Sequence, residues 1–190
     1  MAKSKLAWVL VLGAGLLLSG CLPQTSIPQG VQVYFSPKGG ATDAVVNALD
    51  HTTNTVLVQA YSFTSAPIAK ALVDALRREI KVQVILDHSQ RTEKYSEADF
   101  LKHSGVPTFI DSQHAIAHNK IMILDNSVVL TGSFNFTKAA EEHNAENLLV
   151  INDPVLAKHY VENWHAHAQH SEPYERAAKP AERSGPTRRK

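Results

Sequence analysis

The order of apolar and polar segments predicts an α/β fold: a mixed, largely parallel β-sheet flanked by helices on both faces, in a single domain. Two observations carry this. Residues 55–63 form a largely apolar run, 67–78 carry a helical pattern behind Thr64 and Ser65, and 80–86 form a second β-branched run, which is the spacing of a parallel crossover unit. Further along, 121–124 and 128–131 are short apolar runs around the turn residues Asp125, Asn126 and Ser127, which reads as a hairpin. With 190 residues and a hydrophobic fraction of 44%, the chain is long enough for one domain with a sizeable core.

In chain order, Lys3 and Lys5 precede an apolar run from Leu6 to Leu18, the n- and h-regions of a secretory signal over 1–20 that is too short to span a membrane comfortably. The run ends Leu18-Ser19-Gly20-Cys21, which resembles the lipobox of bacterial lipoproteins. That resemblance implies a lipidated Cys21 as mature N-terminus, and Leu22 after it favours an outer-membrane anchor facing the periplasm. The alternative is a conventional small-residue cleavage site beside an incidental thiol. Residues 21–30 read as a linker, and the folded domain is expected over 31–170.

Within the domain, 31–35 alternate as a strand, and Thr42 is expected to cap a helix reaching about Leu49. Gly39-Gly40 reads as a turn, since no Gly-Lys-Ser/Thr ending makes it a phosphate loop. Residues 87–95 are a polar loop at the carboxyl end of a strand, where ligands of α/β sheets bind; Arg91 and Lys94 there are either phosphate contacts or solvated cations. A short helix to His103 and a strand through Asp111 precede the hairpin. After it come a short helix over 137–142, a last strand over 148–151, and a terminal amphipathic helix. Asp153 should cap that helix, with Pro154 in its first turn and Val155, Leu156, Tyr160, Val161 and Trp164 as its apolar stripe. Residues 171–190, broken by Pro173, Pro180 and Pro186 and ending Arg188-Arg189-Lys190, read as a disordered basic tail.

A formal net charge of +1 gives no global attraction to polyanions, and the single Cys excludes an internal disulfide framework and a multi-cysteine zinc site. Of ten histidines, His51, His88, His103, His114, His143 and His159 read as surface or structural. His114 stands four residues before His118, but in a loop leading to a strand that is not a helical ligand spacing. His165, His167 and His170 have no acidic or thiol partner placed beside them in the sequence, so no metal site is expected.

The chemistry concentrates in 118–135. His118 and Lys120 are two apart and share one face of a strand; if Asn126 and Ser127 make the turn, His118 lies opposite Asn135 and Lys120 opposite Ser133. Gly132 then lets the backbone leave the strand and approach a ligand closely. A neutral imidazole can attack phosphorus, an ammonium and an amide can bind phosphate oxygens, and a hydroxyl can donate one more hydrogen bond, a set suited to phosphodiester transfer.

These residues fit H-x-K-x4-D-x6-G-S-x-N, and the chain resembles the phospholipase D superfamily over about 31–151. The resemblance extends to Tyr61-Ser62-Phe63-Thr64, similar to a strand end near the family's active site, and to Asn144-Ala145-Glu146-Asn147, similar to an N-x-E-N signature whose acid lies near the catalytic histidine. It implies catalytic roles for His118, Lys120, Ser133 and Asn135, and makes Glu146 the orienter of the imidazole. Asp125, at the turn, is read as structural despite belonging to the motif.

The superfamily's phospholipases carry the motif twice and this chain carries it once. Its short bacterial members, secreted endonucleases, pair two identical chains, so the resemblance implies a homodimer in which one His118 attacks phosphorus and the other protonates the leaving oxygen. No cofactor and no divalent metal have a role in that scheme. The expectation is a metal-independent endonuclease cleaving DNA or RNA from the periplasmic face of a lipid anchor. The alternatives are a phospholipase D or phosphatidyl transferase acting on membrane lipid, and a non-catalytic DNA-binding envelope lipoprotein.

Overall fold

The computed structural model describes residues 29–175. The expected signal over 1–20, Cys21 and its lipidation, the first part of the linker, and the basic tail beyond Glu175 lie outside the described residues. Eight strands, β1 (Val31–Ser36), β2 (Thr55–Ala60), β3 (Lys81–Asp87), β4 (Thr108–Asp111), β5 (Lys120–Leu124), β6 (Val128–Gly132), β7 (Glu146–Asn152) and β8 (Glu172–Pro173), form one sheet. The helices are α1 (Ala41–Asp50), α2 (Ala66–Arg77), α3 (Ala98–His103), α4 (Lys138–Glu142) and α5 (Pro154–Ala168).

The strand order is β1-β7-β6-β5-β2-β3-β4-β8. The sheet is mixed and flanked by helices as expected, but its balance differs from a largely parallel one. Parallel pairing is confined to β2-β3 and β3-β4, the crossover unit and its extension. The other neighbours are antiparallel. The cause is local: only three residues join β5 to β6, and a connection that short can only reverse the chain.

Strand alternation divides the apolar residues between two cores. Val56 and Val58 of β2 with Met122 and Leu124 of β5 face α1 to α4, whereas Leu57, Ile121, Ile123 and Val129 face α5. Each such side chain, withdrawn from water, contributes about 1.5–3 kcal/mol. Trp164 anchors α5, fully buried and donating its indole N–H to the Val58 carbonyl at 2.9 Å. Asp153 caps α5 by accepting from the Val155 and Leu156 amides. Leu156, Tyr160, Val161 and Trp164 pack against the sheet, but Val155 points into solvent and Ala157 takes the buried place.

Three further expectations change. Thr42 does not cap α1; it lies inside the helix, and the Glu141 carboxylate from α4 accepts from the Gly40 and Thr42 amides instead, a contact 99 residues away in sequence. The strand over 148–151 is not the last: it belongs to β7, and β8 follows α5. The start of the expected tail is also ordered. Glu172 and Pro173 pair with β4, and Tyr174 is buried with its hydroxyl donating to Asp99 at 2.9 Å.

The β5-β6 hairpin is fastened at its turn. Asp125 and Asn126 both adopt positive φ, and the Asp125 carboxylate accepts from the Thr53, Asn54 and Thr55 amides and the Thr53 hydroxyl at 2.7–3.0 Å. Partial burial alone would raise its pKa; these bonds overcome that and hold it below the ordinary carboxylate value. A lowered folded-state pKa means stability that is complete above the unfolded value, about 4, and is lost as pH falls through the folded value. Asp125→Asn should therefore cost about 2–3 kcal/mol at neutral pH. In urea titrations across pH, the gap between the two proteins should narrow below about pH 4. A gap independent of pH would refute the charged-carboxylate account.

Candidate active site

The segment that carries His118 is held from both sides. Asp87, at the end of β3 and buried, accepts from the Ser89 amide at 2.9 Å and from the Ala117 amide at 2.8 Å. Burial would raise its pKa, but these bonds, with His88 nearby, leave it lowered, so an anionic carboxylate fixes the residue before His118. On the other side Tyr61 donates its amide to the Asn119 carbonyl at 2.8 Å, extending the β2-β5 ladder past Lys120. His118 is left exposed, its ring 4.7 Å from that of Tyr61.

Lys120 is buried, donates to the His118 carbonyl at 2.8 Å, and lies over the Tyr61 ring. Burial lowers its pKa, and the Glu146 carboxylate partly offsets this. The hairpin register is one residue away from the expected one: Met122 pairs with Leu130 and Leu124 with Val128, so Asp125, Asn126 and Ser127 all belong to the turn. Continued, this register would place Lys120 opposite Gly132 rather than Ser133.

The strand does not continue, which is how the polar groups still converge. At Gly132 the backbone takes φ +151°, and a Cβ there would lie 2.2 Å from the Asn147 carbonyl oxygen. Glycine is thus required by the neighbouring strand's backbone, not by a ligand. The same Asn147 carbonyl accepts both the Ser133 and Phe134 amides at 3.1 Å, a bulge that turns the following residues. His118, Lys120, Gly132, Ser133, Asn135 and Glu146 consequently line one open depression.

Within it the polar atoms are poised for a ligand. Ser133 Oγ accepts from the amide and side-chain nitrogens of Asn147, which leaves its own proton to donate. Asn135 Oδ1 is sealed from solvent and has no hydrogen-bond partner. Because amide oxygen and nitrogen are interchangeable by a flip, the residue presents an unsatisfied amide at the base of the depression. Glu146 accepts from Asn144 Nδ2 at 3.3 Å, and among the described residues it makes no hydrogen bond to His118. Within one chain its influence falls on Lys120. Asp125 is at the opposite end of the hairpin, engaged with residues 53–55. An accessible imidazole, a buried ammonium, a hydroxyl and an amide around one opening can attack phosphorus and hold its non-bridging oxygens.

Sequence reasoning missed three features. Asn147 positions Ser133, and its place beside Glu146 was visible, but not its backbone role. Asp87, assigned to a polar loop, pins Ala117. The acidic partner absent from the sequence around His167 and His170 is Asp111, brought there by β4 together with His114. The loop cations are partly occupied: Arg91 pairs with Glu172 at 2.9 Å, and Lys94 lies over the Tyr95 ring.

Residues 45–167 match the family described as cardiolipin synthase, PLD-like domain. A phospholipase D of Rickettsia felis is 40% identical over 134 residues, covering 70% of this chain and 67% of that protein. A mitochondrial cardiolipin hydrolase of Xenopus laevis is 36% identical over 53% of this chain and 48% of its own. The crystal structure of Nuc from Salmonella typhimurium, a phospholipase D family member, superimposes with a TM-score of 0.73 at 42% identity, covering 76% of this chain and 97% of that one. NucT from Helicobacter pylori, at 23% identity and a TM-score of 0.70 over 76% and 98% of the two chains, shares the fold. With more than half its length matched and its fold reproduced at 42% identity, the chain belongs to the phospholipase D superfamily and is a phosphodiester hydrolase.

Proposed function

We propose that this hydrolase is an endonuclease of low sequence specificity that cleaves DNA, or RNA, through a covalent phosphohistidine in a site shared by two copies of the chain. The observation that carries the reading is the lining of the depression: an exposed His118 above a buried Lys120 and an unsatisfied Asn135 amide, with no large apolar side chain among them. Such an opening accepts a phosphodiester backbone from any direction and reads no base.

One imidazole cannot both attack phosphorus and protonate the leaving oxygen on its far side. In the proposed cycle a His118 nitrogen forms a bond to phosphorus as the phosphorus-oxygen bond breaks, and the imidazolium of the partner's His118 gives its proton to the departing alkoxide. Water then attacks phosphorus, the partner's His118 takes its proton, and the nitrogen-phosphorus bond breaks. Lys120, Ser133 and Asn135 hold the non-bridging oxygens throughout. Ile116, two residues before His118, and Phe35, paired with Asn147, are 56% and 65% exposed and offer apolar surface beside the depression for such a partner.

A lipid phosphodiesterase is the second reading, favoured by relatives named phospholipase D and mitochondrial cardiolipin hydrolase. Ile116 and Phe35 would then meet acyl chains. Residues 22–190 incubated with plasmid DNA, RNA and phospholipid vesicles in EDTA separate the two. Nicking that persists in EDTA, falls at least about 1,000-fold in His118→Ala and about 100-fold in kcat in Asn135→Ala supports the nuclease. Phosphatidic acid release without nicking replaces it with the lipid enzyme.

The shared site has its own test. Specific activity should fall on dilution in step with the loss of dimer seen by sedimentation, and the pH profile should be bell-shaped because one imidazole must be neutral and its twin charged. Full activity in a monomer would refute it. We further propose that a lipid on Cys21 holds the domain at the periplasmic face of the outer membrane. Full-length protein should then sediment with membranes and Cys21→Ser should not; equal sedimentation of both would discard the anchor.

A further inference from the structure

At the carboxyl end of β4, four side chains from three separate places converge. Asp111 ends β4 and is fully buried; His114 belongs to the loop leading to His118; His167 lies in the last turn of α5 and His170 just beyond it. One ligand atom from each lies within 4.8 Å of all the others. His167 Nδ1, His114 Nδ1 and His170 Nε2 stand 2.7, 3.1 and 3.3 Å from Asp111 Oδ2. The three rings form a triangle with centroids 4.9, 5.4 and 5.4 Å apart.

Hydrogen bonding accounts for part of this arrangement: His167 Nδ1 bonds to Asp111 Oδ2 at 2.7 Å, and His114 Nδ1 bonds to both carboxylate oxygens at 3.1 and 3.2 Å. Asp111 Oδ1 already accepts from the Gln113 amide, and three imidazoles crowd the other oxygen. His170 Nε2 is sealed from solvent and, despite its closeness, has no hydrogen bond of proper geometry. Charging more than one of three rings this close would set like charges against each other. Neutral rings with lone pairs turned inward around a cation would satisfy all three, including His170, which the carboxylate leaves without a bond. In a tetrahedral zinc site with bonds of about 2.0–2.1 Å, ligand atoms are about 3.3 Å apart. The three nitrogen-to-oxygen distances are already at or just inside that edge, and small ring rotations would bring the nitrogens together.

We propose that Asp111, His114, His167 and His170 bind one Zn2+ ion as a structural clamp, a site separate from the residues around His118. Three imidazoles and one carboxylate are a borderline-soft set that suits zinc over calcium or magnesium. The ion would tie the end of α5 and the β8 segment to β4. It would also fix one end of loop 112–117, whose other end Asp87 holds through Ala117. The clamp takes no part in bond cleavage, which proceeds on His118 whether or not the ion is bound.

Purified protein, stripped with a chelator and desalted, is titrated with Zn2+ against a chromophoric competitor. One equivalent per chain is expected, with a melting temperature about 5–10 °C higher at a hundredfold excess over Kd. His167→Ala with His170→Ala should lose at least about 100-fold in affinity, and the milder His170→Gln should also bind more weakly while keeping the far-ultraviolet dichroism of the parent. His118→Ala and His159→Ala should bind as the parent does. Stripped protein should retain its hydrolytic rate well below its melting temperature. Equal uptake by parent and double variant, or no uptake by the parent, would overturn the site.

Discussion

The carbonyl oxygen of Asn147 is the contact on which the candidate active site rests. It receives two amides, those of Ser133 and Phe134, and leaves no room for a side chain at Gly132. A regular β6 would have carried Ser133 and Asn135 on along the strand in a fixed alternation. The bulge abandons the ladder after Gly132 and delivers both side chains to the opening beside His118 and Lys120. Asn147 also donates to Ser133 Oγ from its backbone and side chain, so one residue sets both the path of the chain and the orientation of the hydroxyl. Glycine and asparagine in this pair therefore serve geometry before chemistry.

Much of the fold was legible because it follows from local period. The crossover unit over β2, α2 and β3, the cap at Asp153, and the hairpin all announced themselves in alternation and turn residues. The hairpin's register did not. Asn126 and Ser127 looked like a two-residue turn, whereas Asp125 joins them because its carboxylate is claimed by residues 53–55, 70 to 72 positions away. A one-residue slip in a regular strand would have turned Ser133 away from Lys120. The bulge compensates for it, so the expected set of residues assembles through a geometry different from the expected one.

What the sequence could not display is contact between distant segments. Glu141 of α4 against the start of α1, β7 between β1 and β6, and Tyr174 against Asp99 all depend on how distant segments are brought together, which no window of residues contains. The histidines illustrate the same limit. His167 and His170 had no acid three or four residues away, and His114 lay in a loop rather than on a helix with His118. Each judgement was sound locally. The sheet places Asp111 at the end of β4 with α5 ending over it, which supplies the missing acid and gives His114 different neighbours.

This places two buried carboxylates on adjacent parallel strands, Asp87 on β3 and Asp111 on β4, paired in register at the same end of the sheet. Both are anionic, and each holds one end of loop 112–117: Asp87 through the Ala117 amide, Asp111 through the Gln113 amide and His114. The carboxyl ends of parallel strands are where an α/β sheet has room for such work, since its loops leave the sheet there. His118, exposed and, among the described residues, without a side-chain hydrogen bond of its own, follows immediately after this doubly anchored loop. Precision in the position of His118 then comes from the backbone on either side of it, Ala117 bound to Asp87 and Asn119 bound to Tyr61, while the imidazole itself stays open to the depression.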